Sequence, residues 1–216
     1  MTADDRLNTL VDAAFAFALT LMVTGGGQAA RDMGSLAQVV AEAPAFLIGF
    51  VLITMFWHAH VRWRRDHGQG GVMASLLLVF VVLLYVHPLR VLALSLVDYV
   101  GLGEGPKLTI ASGRELFATY GLGFFVLSAA TAWLFWTGMR SAADDAASRA
   151  RATGEFGIWL ILAVAGAVSF FIAWLTPMTW MAPWVYAVLP VAIGLFAWRH
   201  DWAGDSKVAS MPTEIG

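Results

Sequence analysis

Cysteine is missing from the chain altogether, and charge is scarce: Asp, Glu, Lys and Arg make up only 13% of its 216 residues. The first absence excludes disulfides, thiolate nucleophiles and cysteine-ligated metal centres. The second stands against 59% hydrophobic residues and a mean hydropathy of +0.72. That is more apolar surface than one soluble core can hide, so the chain reads as an integral membrane protein. The net charge is only −2, and no basic stripe gathers for nucleic acid. The groups of an enzyme are missing too: no paired carboxylates, and no serine or cysteine nucleophile with a base. Gly25-Gly26-Gly27 follows a helix and has no Lys-Ser/Thr after it, so it ends that helix and does not cradle phosphate. His58 and His60 stand two apart, which splays their rings on a helix. No metal and no cofactor are expected.

What is present is a series of six apolar segments, each near the ~20 residues that span a bilayer as a helix. They run from Asn8 to Thr24, Pro44 to Trp63, Val72 to Val97, Glu115 to Arg140, Phe156 to Thr176 and Thr179 to Arg199. The expected fold is all-α, a polytopic membrane protein with six transmembrane helices in a single domain over residues 1–202. A mobile polar cytoplasmic tail follows over 203–216. The acidic start MTADDR, with no small-residue cleavage signature after it, makes the first segment a retained helix and not a signal peptide. No internal repeat is visible.

Cations set the orientation, because Lys and Arg are retained on the cytoplasmic side. With the N-terminus inside, Arg6, Arg62, Arg64, Arg65, Arg140, Arg149, Arg151, Arg199 and Lys207 fall inside; Arg31, Arg90, Lys107 and Arg114 fall outside. Both termini are therefore expected in the cytoplasm. Trp57, Trp63, Trp136, Trp198 and Trp202 would mark one interface, and Trp174, Trp180 and Trp184 the other. The connection RSAADDAASRAR, Arg140 to Arg151, reads either as a short solvated helix or as a linker with interfacial arginines.

One carboxylate interrupts the first apolar run. Asp12 is costly there unless a partner or water receives it. At 100° per residue, Phe17, Thr20, Leu21 and Thr24 share one face, above Leu10 and Ala13, while Asp12 lies about 140° away from Phe17. Ala13, Ala14, Ala16 and Ala18 let other helices approach closely. Asp12 either faces that packed side or lies solvated near the headgroups. Donors are offered by the second helix, whose end FWHAHVRWRR puts Trp57, His60 and Arg64 on roughly one face. His58 and His60 read equally as interfacial residues, His67 and His200 as loop or tail residues, and His87 as part of a helix end or kink before Pro88.

Arg6 and the run Asp12-Ala-Ala-Phe-Ala-Phe-Ala-Leu-Thr20, followed by Phe56-Trp57 and His60 on a second helix, resemble the transmembrane protein 175 family of potassium channels in its prokaryotic form. Leu10-Val11-Asp12 stands where the family has FSD, and Ser75 is the nearest small polar residue to the family's asparagine on the third helix. The resemblance implies a homotetramer whose first helices line a central pore, with potassium ions and membrane lipid as partners. It implies that Phe17 forms the constriction, where the family usually has Ile or Leu, and that Thr20 contributes to the pore. Arg6, Asp12, Trp57 and His60 would form the polar network that holds the first helix. No TVGYG-like loop is present; Thr119-Tyr120-Gly121-Leu122-Gly123 reads as small-residue helix packing, which leaves hydrophobic gating. The expected function is a potassium-preferring cation channel in the plasma membrane. A non-conducting membrane scaffold and a proton-linked secondary transporter using Asp12 and His60 are the alternatives.

Overall fold

The computed structural model describes residues 3–24, 40–67, 71–99, 101, 109–141, 146–177 and 179–199. The connection at Gly25-Gly26-Gly27, Arg31, Lys107, His200, Trp202, Lys207 and the tail over 203–216 lie outside the described residues, as do the side chains of Thr24 and Trp180. Every regular element among the described residues is helical: α1 Ala3–Thr24, α2 Ala43–His67, α3 Val72–Tyr99, α4 Ile110–Ser141 and α5 Ala146–Leu175. A 3₁₀ turn, Thr179–Met181, leads to α6, Trp184–Ala187, and α7, Leu189–Arg199.

Among the described residues five helices are long and apolar enough to cross a membrane, those of α1 to α5. The sixth expected segment is shorter and interrupted. Thr179 to Met181 is a 3₁₀ turn, and the apolar helical stretch covers only Trp184–Arg199, about 24 Å at 1.5 Å per residue. Proline explains both limits. Pro183 occupies the N-cap of α6, and Pro190 has no N–H to continue the ladder, so the chain turns at Val188 before α7.

Two helices start earlier than hydropathy indicates. Thr109 and Ser112 close a reciprocal cap: Ser112 N–H donates to Thr109 Oγ1 at 3.2 Å, and Thr109 N–H donates to Ser112 Oγ at 2.9 Å. This starts α4 at Ile110. Likewise, the part of the Arg140 to Arg151 connection from Ala146 onward is neither a separate helix nor a linker; it is the polar beginning of α5. At Pro88, α3 continues instead of ending.

α4 and α5 form the most extensive pair, and glycine sets their distance. A Cβ at Gly121 would stand 2.7 Å from the Phe170 backbone nitrogen, and one at Gly166 would stand 2.6 Å from that of Phe125. Small residues permit this approach of two backbones inside lipid. α1 is simpler: Val11, Phe15, Ala18 and Met22 are buried along one stripe against α2 and α3.

Gly121→Val and Gly166→Val are each expected to cost on the order of 2–3 kcal/mol through overpacking. Gly194→Ala, whose added methyl meets nothing within 4 Å, should leave stability equal or slightly raised. Thermal unfolding of the detergent-solubilised protein checks the contrast.

Candidate functional site

The N-terminal half of α1 and the C-terminal three turns of α2 run side by side, and Asp12 is where they are joined. Trp57 Nε1 donates to Asp12 Oδ1 at 3.0 Å, and Arg64 Nη1 pairs with Asp12 Oδ2 at 3.3 Å. Seven residues separate the two donors, two helical turns, so they rise on one face of α2 and reach separate oxygens of the carboxylate. Each lone-pair side of the anion is thereby supplied, which is the condition for holding a charge within an apolar segment.

His60 does not join them. It is fully buried and its Nε2 lies 3.1 Å from Ser75 Oγ on α3. Arg6 is exposed, and no ion pair links it to Asp12 among the described residues. Thus Asp12 and Trp57 meet, Arg64 takes the place expected of Arg6 and His60, and His60 serves another helix. The reason is angular: His60 is offset by about 60° from Trp57 around α2, enough to pass from the α1 side to the α3 side.

A third contact leaves the same stretch of α2. Arg62 Nη1 pairs with Glu155 Oε1 of α5 at 2.6 Å, and Trp159 Nε1 donates to Glu155 Oε2 at 3.2 Å. The Glu155 side chain is only 12% exposed. Sequence reading passed over this pair because the fifth apolar segment was started at Phe156, one residue too late to count Glu155 as a carboxylate inside a span. The C-terminal end of α2 therefore contacts three helices through polar groups: α1, α3 and α5. No group of three metal-ligating side chains occurs among the described residues.

The side of α1 away from its buried Val11, Phe15, Ala18 and Met22 stripe carries Leu10, Ala13, Ala16, Phe17 and Thr20, all exposed. Phe17 is 55% exposed. Leu21 departs from the expected face: it is half-buried and packs against the core. Thr20 Oγ1 donates to the carbonyl of Ala16 at 3.0 Å. That bond commits the hydroxyl proton within the helix.

Arg64→Ala and Trp57→Phe are each expected to destabilise the protein by about 0.6–2 kcal/mol. In double-mutant cycles Asp12 should couple to Arg64 by about 1 kcal/mol, and His60 should couple to Ser75 more strongly than to Asp12. Reversible unfolding in mixed micelles reads both cycles.

Comparison with known proteins adds the family. Residues 6–88 match the family described as "Endosomal/lysosomal potassium channel TMEM175". That stretch holds α1, α2 and the greater part of α3, with Asp12, Trp57, His60, Arg64 and Ser75. A protein of Marivirga tractuosa described as "Potassium channel" is 27% identical over 143 residues, covering 61% of this chain and 58% of that relative. The match thus spans less than two thirds of the relative's length. A crystal structure of the potassium channel MtTMEM175, a threonine-to-alanine variant in complex with a nanobody–MBP fusion protein, has the same fold. Its TM-score is 0.78 at 21% identity, covering 91% of this chain and 92% of that one. Sequence along the first three helices is similar to the transmembrane protein 175 family, and the fold of the chain is that of a solved channel structure.

Proposed function

We propose that this protein is a potassium-preferring cation channel in which four copies gather the open face of α1 around a central pore. The observation that carries the reading is the two-sidedness of α1. Val11, Phe15, Ala18 and Met22 are buried, whereas Leu10, Ala13, Phe17 and Thr20 lie exposed on the other side, away from the Asp12 anchor. One chain supplies one such helix, so a pore lined by α1 requires a closed ring of copies. The match of residues 6–88 to a potassium-channel family supports the transport reading over an enzymatic one.

In the ring, Phe17 forms a hydrophobic constriction. An apolar ring raises the barrier for a hydrated ion by dewetting, and a small change in radius opens or closes it. Thr20, one turn further along, offers oxygens to the ion's hydration shell. Asp12, Trp57 and Arg64 fix the rotation of α1 and stay off the axis. The plasma membrane is the proposed site, with both termini cytoplasmic, which agrees with the excess of arginine at the ends of α2 and α4 and the start of α5. The scaffold reading is favoured by the departures at Leu10-Val11 and Phe17 from the family's usual residues.

Purified protein in liposomes should pass potassium, and Phe17→Ala should raise the flux several-fold. Light scattering in detergent should give four times the 23.3 kDa chain mass. Flux that is indifferent to the residue at 17 would remove the gate assignment, and an oligomer other than a tetramer with no flux would favour the scaffold.

A further inference from the structure

At the end of α1 far from Asp12, a cavity of about 260 Å³ opens between the first three helices. Its apolar walls include Met22, Ala45, Phe46 and Leu94, and its polar wall is made by Arg90 and Glu42. Arg90 Nη2 donates to Glu42 Oε2 at 2.5 Å, with side chains 14% and 28% exposed. Arg90 stands 18 residues along α3 from Val72, about 27 Å from that membrane face at 1.5 Å per residue. With the Val72 end taken at one face of a hydrocarbon core about 30 Å thick, that distance puts the ion pair near the opposite face.

We propose that this cavity seats one phospholipid bearing a phosphate–ammonium headgroup, its phosphate on Arg90, its ammonium on Glu42 and the first carbons of a chain along Met22, Ala45, Phe46 and Leu94. Chemistry chooses the ligand class. A guanidinium has five N–H donors, and the contact with Glu42 engages one nitrogen, so a phosphate oxyanion can be received without breaking the pair. A purely anionic headgroup would meet the Glu42 carboxylate at once, whereas a zwitterion matches both charges and leaves the site neutral. The volume is below the 300–1,000 Å³ that encloses a drug-sized ligand, which suits a headgroup and the start of a chain whose remainder lies in the bilayer. Met22 also packs on Gly49 of α2, so the lipid would touch the contact that positions the outer half of α1.

Native mass spectrometry of the full-length protein tests this. Detergent-solubilised protein offered phosphatidylethanolamine and phosphatidylglycerol in equal amounts should retain the former at least fivefold over the latter, and millimolar inorganic phosphate should leave the adduct intact. Arg90→Gln and Glu42→Gln should each lower the adduct fivefold or more. The competition on the unaltered protein does not depend on how the variants fold. Equal retention of the two lipids, displacement by inorganic phosphate, or well-folded variants that bind as the parent does would overturn the proposal.

Discussion

A carboxylate near the middle of a membrane helix costs about 2.5–3.5 kcal/mol on insertion scales, and the position of α1 follows from how that cost is met at Asp12. Its two oxygens are served by an indole N–H and a guanidinium from one face of α2. Because both donors come from the same helix, two turns apart, they resist rotation of α1 as well as its sliding. Helical geometry then carries the consequence outward: Phe17, about 140° around the helix from Asp12, is left on the side that no neighbour among the described residues covers.

The same two turns of α2 hold more than α1. Trp57 and Arg64 face α1, His60 reaches Ser75 of α3, and Arg62 reaches Glu155 of α5. Polar side chains on successive angles of one helix thus tie three neighbours at a single level. The other end of α1 is built differently. There Met22 packs on Gly49 and Ala45 lines the cavity beside it, so apolar packing around a void replaces hydrogen bonds. Displacement of α1 would therefore meet less resistance at that end than at the Asp12 end.

What could be read from the sequence was whatever depends on one helix at a time. The angular separation of Asp12 from Phe17, and the common face of Trp57 and Arg64, are local properties of an α-helix, and they appear in the structure as expected. Which neighbour each face meets is not local. His60 was grouped with Trp57 because 60° is within the tolerance of a helical wheel, yet α3 occupies that angle. Leu21, 40° from Phe17, was lost to the core in the same way. The α4 start escaped notice because Ser112 stands where a capping box usually has Glu or Gln. Glu155 went unrecognised because hydropathy averages dilute a polar helix start such as Ala146 to Glu155, although that segment is continuous with the span that follows.

The composition of the open face of α1 narrows what can cover it. Lipid would tolerate Leu10 and Phe17, but it gains little from Ala13 and Ala16, whose short side chains leave the backbone close to the surface. Small residues are what permit another helix to approach, so this face suits copies of α1 better than acyl chains. In the proposed ring, close approach at the alanines would bring the larger Phe17 toward the axis as its narrowest level. Thr20 lies one turn beyond, its proton already committed to Ala16. In that proposed ring the apolar level at Phe17 would set the barrier to a hydrated ion, and a small change in its radius would open or close the path.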